Sequence, residues 1–252
     1  MDILNKITKS KEKLDKKRPL PASLVEDLRK DFLIKNTYHS NAIEGNTLTV
    51  YETKAILEDG ITVGGKSMRE HLEAINHKEA LLVSEEIVKN REVLSERMIK
   101  ELHSIIMYGI DNTIAGVYRK DPVIISAANH TPPNAMQVPD EMKKFIDWYE
   151  NEKELHPVAK AAVTHSKFVN IHPFKDGNGR TSRLLMNLEL MKSGYLPVNV
   201  EKDDRFNYYE VLDIAGTKKD YKPFIEFIAK YEDKELTRYL SLVNEKEQDL
   251  ER

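Results

Sequence analysis

Ile171-His172-Pro173-Phe174-Lys175-Asp176-Gly177-Asn178-Gly179-Arg180-Thr181-Ser182-Arg183 is the stretch on which the fold turns, because one apolar helix stops there and another starts. Before it, Val158, Ala161, Ala162, His165, Phe168 and Val169 keep a helical spacing. After it, Leu184, Leu188 and Met191 form a stripe that Leu185, Met186 and Leu190 widen, which reads as a buried central helix ended by Gly194. Asp176 to Gly179 is then a tight loop opening onto a helix N-terminus, where unpaired N–H groups and the positive helix end suit a phosphate. Gly177 and Gly179 let the backbone approach an anion with no Cβ in the way, and Asn178 tolerates a left-handed turn while offering its amide. Arg180 and Arg183 are three apart on one helix face, so two guanidinium groups can meet successive phosphates. Asp176 is a hard oxygen ligand suited to a Mg²⁺ that keeps most of its waters. His172 is the only general base in the stretch, and an imidazole facing these cations should be neutral at pH 7.

Taken singly, each feature has an ordinary reading: a Gly-Asn-Gly turn, a structural histidine, two arginines on a solvated face. Base, apolar anchor Phe174, carboxylate, anion cradle and two arginines within twelve residues point instead to a nucleotide site.

The same residues carry a family resemblance. His172 to Arg183 matches every fixed position of the Fic signature H-x-F-x-D/E-G-N-G-R-x-x-R. The resemblance implies a mostly α fold, a Fic-like helical bundle around a central helix pair with one β-hairpin flap near the active site. It implies transfer of AMP from ATP, with Mg²⁺, to a hydroxyl side chain of a target protein and to the enzyme itself. Carried over position by position, His172 resembles the general base, Asp176 the metal ligand, Gly177, Asn178 and Gly179 the anion hole, and Arg180 and Arg183 the phosphate binders. Phe174 resembles a buried anchor for the loop.

Working outward, Pro21 to Asn41 reads as a helix with Leu24, Leu28 and Phe32 at four-residue steps, and Gly45 as its C-cap. Thr49-Val50-Tyr51-Glu52 and Ser67-Met68-Arg69-Glu70 fit capping boxes, opening a short helix to about Glu58 and a long one to about Asn90. Ser95 opens another helix that Gly109 ends, and Met142, Phe145, Ile146 and Tyr149 mark one more. Segments from about Asp204 to Ala215 and Tyr221 to Val243 complete the set, with fraying expected from Glu245 to Arg252. Between Gly116 and Pro139 the β-branched run Val123-Ile124-Ile125 suggests a hairpin. On the residues alone this is either a structural ribbon or an edge that binds an extended peptide. The resemblance favours the second, as a flap that registers the target, with Val123, Ile125 and His130 near it. Asn207, Tyr208 and Tyr209 resemble the adenine-side pocket, although a tyrosine pair on an amphipathic helix also reads as core.

Ser40-Asn41-Ala42-Ile43-Glu44-Gly45-Asn46 lies far upstream. Ser40 and Glu44 share a helix face, and a carboxylate at a helix C-terminus opposes the dipole by roughly 0.3–1 kcal/mol. From composition alone Glu44 is a solvated glutamate before a capping glycine. The stretch nevertheless matches the family's inhibitory motif S/T-x-x-x-E-G/N, whose glutamate is expected to pair with Arg183 and obstruct the γ-phosphate of ATP. The expected division is a helical arm over residues 1–66 carrying that motif and a catalytic core over 67–252, with the flap at about 116–139.

The remaining numbers bound the answer. The chain has 252 residues, a formal net charge of −3, 40% hydrophobic and 32% charged residues and no cysteine. Nucleic-acid affinity has no electrostatic basis, and disulfides, thiolate nucleophiles and cysteine zinc sites are excluded. The lysine-rich first eighteen residues do not form a secretory signal, and no run of about eighteen apolar residues suggests a membrane partner. A cytoplasmic location is the expectation, and a homodimer is left open. Three alternatives share the residues: AMP removal or phosphoryl transfer at the same loop, a non-enzymatic ATP-sensing interaction module, and a metal hydrolase. The last is weakest, because His165 and His172 bracket no further ligand.

Overall fold

In the computed structural model, which describes residues 2–125 and 128–250, the chain runs through ten α-helices among the described residues. Helices α7 (Pro157–Ile171) and α8 (Asn178–Lys192) pack against each other at the centre, and the six-residue loop between them holds His172 and Asp176. Every residue from Arg180 to Leu190 is buried, so α8 has no solvated face at all. Apolar groups surround it on three sides. Met186 and Leu190 share one core cluster with residues of α10 (Lys222–Leu250); Leu185 and Leu188 share another with residues of α5 (Glu96–Met107) and α6 (Val138–Asn151); Leu184 shares a third with Leu33 of α2 (Ala22–Ile43) and Leu81 of α4 (Met68–Lys89). A helix immersed in this way must satisfy its polar groups internally. Asn187 does so by clamping both the N–H and the carbonyl of Val198, at 2.8 and 3.0 Å, and Glu189 accepts the Tyr149 hydroxyl.

The local start signals act as read. Both capping boxes form: Thr49 caps α3 (Val50–Lys54) with Glu52 returning to its N–H, and Ser67 caps α4 with Glu70. Ser95 caps α5, and Gly109 and Gly194 take positive φ just past helix ends. Helix α2 runs two residues beyond Asn41, and α3 continues through a π-turn at Ala55–Asp59.

Three expectations change. The first eighteen residues, to which the sequence assigns no element, contain α1 (Asp2–Asp15), which buries Ile7 and Leu14 against α10. These two apolar residues seven apart are too narrow a stripe to stand out among lysines until α10 supplies its partner surface. Helix α10 continues through Leu250, past the start of the expected fraying, and residues 251–252 lie outside the described residues. The β-hairpin over 116–139 is absent, since no strand occurs among the described residues; 126–127 at its centre lie outside them. Prolines 122, 132 and 133 remove ladder donors there, and the N–H groups of Asn129 and His130 bond the Asp213 carboxylate instead of a facing strand. The segment ends in a 3₁₀ turn, Ala135–Gln137, that leads into α6.

Glu232 of α10 is fully buried, with one carboxylate oxygen on the Leu196 N–H and the other without a partner. Burial pushes its pKa up to about 8. The folded state therefore holds this proton after the unfolded chain has lost it, so stability from this group is complete below about pH 4.5 and declines as pH rises through 8. Glu232→Gln should remove most of that decline, on the order of 3–5 kcal/mol across the window, read as a flatter Tm-versus-pH curve.

Candidate active site

His172 follows α7 in the left-handed conformation, with φ 51°, which turns the chain sharply out of the helix. Its Nδ1 lies 3.3 Å from the Val169 carbonyl, which can only accept, so Nδ1 carries the hydrogen and Nε2 keeps its lone pair. Burial lowers its pKa from the usual value, and the nearby Arg119 charge adds to this against the Val169 bond, so the ring is neutral at pH 7. Phe174 is fully buried and stacks on His103 at 3.6 Å between centroids.

The loop that follows is tied down from within. Asn178 accepts the Phe174 N–H at 2.9 Å and donates to the Phe174 carbonyl at 2.8 Å, so its amide is spent on holding the loop and, contrary to expectation, is not offered to a ligand. Gly177 takes φ 77° as the residue before α8, a conformation that disfavours any side chain. Thr181 N–H reaches Gly177, leaving the N–H groups of Asn178, Gly179 and Arg180 as the unpaired first turn of the helix. The Glu44 carboxylate lies against this turn, so close that a Cβ on Gly179 would collide with it. A charge unfavourable at the end of α2 is thereby placed at the favourable start of α8.

Arg183 explains the rest of Glu44's position. This arginine is 3% exposed and nearly saturated with partners: Nε donates to Ser40 Oγ at 2.9 Å, Nη2 to the Ser40 carbonyl at 2.7 Å and to Glu44 Oε1 at 2.8 Å, and Nη1 to the Tyr208 hydroxyl at 3.2 Å. Burial works against its charge, yet Tyr208 and Glu44 hold its pKa above the ordinary guanidinium value. The end of α2 is in turn fastened to α4 by Asn41, which donates to the Glu73 carbonyl, and Asn46, which donates to the Glu70 carbonyl and the Glu73 carboxylate.

Arg180 goes elsewhere. It is 2% exposed, with Nη1 3.4 Å from Glu73 and Nη2 3.3 Å from Asp176, and it takes no part in the wall of the cleft that Arg183 lines. The two arginines thus do not present a shared face. Asp176 is half-exposed and also pairs with Arg69 at 2.5 Å. Burial raises its pKa, but Arg180, Arg69 and the Gly177 N–H outweigh it and keep the carboxylate ionised. Beneath the loop, three buried histidines leave the two arginine charges unopposed by any further cation, since each ring is neutral. Burial pushes the pKa of His77 down to about 3 and of His103 to about 4, and holds that of His165 well below the usual value.

A cleft of about 300 Å³ has Glu44, Gly179 and Arg183 on one side, Ile125 and His130 on another, and His172 in its wall. Tyr208 and Tyr209 also line it; Tyr209 donates to the Ile43 carbonyl at 3.1 Å. Two expected residues fall outside. Val123 turns to a separate depression beside Lys175 while its neighbour Ile124, 93% exposed, faces the cleft, and Asn207 lines another depression beside Tyr231.

Three residues that the sequence did not single out hold this arrangement. Arg119 donates to the His172 carbonyl at 2.8 Å and to the carbonyls of Asp121 and Pro133, joining both ends of the overlying segment to the turn that carries the imidazole. Asp213 of α9 (Arg205–Lys218) accepts from both Asn129 nitrogens and from His130 N. His103 donates to the Asp176 carbonyl at 2.8 Å and accepts the Gly116 N–H at 2.9 Å. Isolated polar residues on ordinary helices and loops give no local signal of such roles.

The profile described as Fic/DOC family matches residues 93–190. A protein adenylyltransferase Fic from Nematostella vectensis is 40% identical over 245 residues, covering 95% of this chain and 56% of its own. One of the same name from Culex quinquefasciatus is 37% identical, covering 93% and 48%. The chain thus spans about half the length of the curated relatives it matches. Among solved structures, a Fic domain containing signaling protein from Bacteroides thetaiotaomicron superposes with a TM-score of 0.87 at 28% identity, over 96% of this chain and 97% of that one. Fic-1 (residues 134–508) from C. elegans superposes with a TM-score of 0.86 at 32% identity, over 97% of this chain and 72% of that one. With that likeness across nearly its whole length, and with the histidine loop seated between its two central helices, this chain belongs to the Fic/DOC family.

Proposed function

We propose that the chain transfers AMP from ATP to a hydroxyl side chain of a target protein, and that Glu44 restrains it at rest. The observation that carries the reading is the convergence on one cleft of a neutral imidazole, a helix N-terminus with unpaired backbone N–H groups and a buried arginine. His172 takes the proton of the incoming hydroxyl as its oxygen bonds to the α-phosphorus and the bond from that phosphorus to the β-phosphate bridging oxygen breaks. Pyrophosphate leaves. The first-turn N–H groups of α8 and Arg183 stabilise the phosphate charge, in a partly desolvated site where such donors act strongly. The names of the curated relatives support this activity, and the structure supports the restraint, because a carboxylate already fills the place of an anion at Gly179 and Arg183.

Asp176 would hold the Mg²⁺. Among the described residues no three metal-ligating side chains cluster, so this donor set fits an ion that takes its other ligands from water and phosphate. Such an ion, when bound, neutralises charge on the leaving pyrophosphate. Arg69 now occupies the same carboxylate. Removing it by Arg69→Ala should tighten Mn²⁺ binding to the ATP complex about twofold to fivefold, as expected for loss of an exposed competing pair, and weaker binding in an Mn²⁺ titration would contradict the role given to Asp176.

Isotope placement tests the reaction. With Mg²⁺, label should pass to protein from α-labelled ATP and not from γ-labelled ATP. Transfer from the γ position would make the chain a phosphoryl transferase.

A further inference from the structure

On the far side of His130 from the reaction cleft lies a second depression of about 270 Å³. His130 and Asn170 line both, and the His130 ring donates from Nε2 to the Asn170 carbonyl at 2.8 Å, so the partition is fixed in place. Asn170 is only two residues from His172. The charges around the second depression do not cancel. Lys144 is paired with Glu141 at 2.7 Å, but no ion pair joins Lys167 or Lys219 to a carboxylate among the described residues. Lys167 instead places its ammonium over aromatic rings, 4.8 Å from the centroid of Trp148 and 5.5 Å from that of Tyr221. Burial lowers its pKa, and the charge of Lys219 adds to the effect. Glu152 acts on Lys167 from beyond ion-pair distance and partly offsets this, and a half-buried cation outside any ion pair is stabilised by an anion that a ligand brings closer.

We propose that this depression is a subsite for an acidic side chain of the target, lying two residues from the hydroxyl that receives AMP. The proposal rests on the AMP-transfer reading of the neighbouring cleft. In an extended segment, side chains two apart lie on one side about 7 Å from each other, so one can enter the reaction cleft while the other passes His130 to reach Lys167 and Lys219. Tyr221 and Trp148 keep the Lys167 stem ordered, which leaves its charge to select among targets.

The test uses synthetic peptides with a central Ser, Thr or Tyr flanked by Asp, Ala or Lys, α-labelled ATP and the full chain carrying Glu44→Gly to open the cleft. Asp-flanked peptides should be labelled about twofold to fivefold better than Ala-flanked ones, and Lys-flanked ones worse. Lys167→Gln combined with Lys219→Glu should abolish or reverse the order while automodification and ATP binding stay unchanged. Lys219→Glu alone, at an exposed position, should reduce the preference even if the double variant folds poorly. A preference insensitive to both variants overturns the subsite. Fluorescence anisotropy of a fluorescein-labelled Asp-containing peptide reads the depression without transfer: equal binding by wild type and Lys219→Glu also overturns it. Absence of AMP transfer with charge-dependent peptide binding would instead remove the proposed reaction and leave the subsite standing.

Discussion

His172→Ala should lower AMP transfer about 10²–10⁴-fold, the usual contribution of a positioned general base, while ATP binding persists. The imidazole is placed to accept a proton, since its Nδ1 is engaged with Val169, its ring is neutral, and His172 lines the cleft. Because the residue sits at φ 51°, alanine also introduces backbone strain, so His172→Asn, which tolerates the left-handed region, separates lost chemistry from a deformed turn. Both variants should be inactive with α-labelled ATP, and the asparagine variant should keep the wild-type Tm. The pH profile offers a second reading. Only the neutral ring accepts a proton and burial has lowered its pKa, so the acid limb should fall on the acid side of 6.5. Wild-type labelling by His172→Asn would show that another group is the base.

Glu44→Gly should raise target labelling and automodification about 5-fold to 150-fold at limiting ATP, the range of a coupling worth about 1–3 kcal/mol. The carboxylate bonds Arg183 and lies against the first turn of α8, so the variant clears both anion-binding features at once. Arg183 keeps Ser40 and Tyr208, which hold the guanidinium where it is and leave the vacated N–H to a phosphate. Glu44→Asp should fall between, since one fewer methylene shortens its reach to Arg183. Glu44→Gly combined with His172→Asn should be silent, because opening the cleft cannot replace a base. Equal labelling by wild type and Glu44→Gly would remove the restraint. If wild type released AMP from a premodified target and Glu44→Gly did not, Glu44 would belong to a hydrolytic site.

The candidate site shows how far the chain can be read without its fold. His172, Asp176, Gly177 and Gly179 sit in one loop, and their neighbourhood follows from covalent distance alone. The capping residues Thr49, Ser67 and Ser95 are legible for the same reason, since a cap bonds a backbone group three residues away whatever surrounds it. Arg180 and Arg183 mark the limit. Their spacing puts them on one broad side of α8, yet one is drawn to Glu73 and Asp176 and the other to Ser40, Glu44 and Tyr208. Periodicity says which side of a helix a residue leaves from, whereas its partner is chosen by the helices that pack there.

The sequence by itself determined the helices, the buried α8 and the loop that precedes it, because helix periods, caps and turns are set by interactions within about four residues, whereas the bundle around a central pair and the roles of the loop residues were implied through the family pattern. The segment over the cleft was decided otherwise. Val123, Ile124 and Ile125 favour a strand, but a strand needs a partner edge, and here the available donors and acceptors are Arg119, Asp213 and the His172 carbonyl. The pairing of Glu44 with Arg183, across 139 positions, was implied only through a family pattern; its geometry required α2 to be anchored on α4 by Asn41 and Asn46. Such contacts belong to tertiary structure because each depends on the free energy of several packed elements together, and no single segment carries that information.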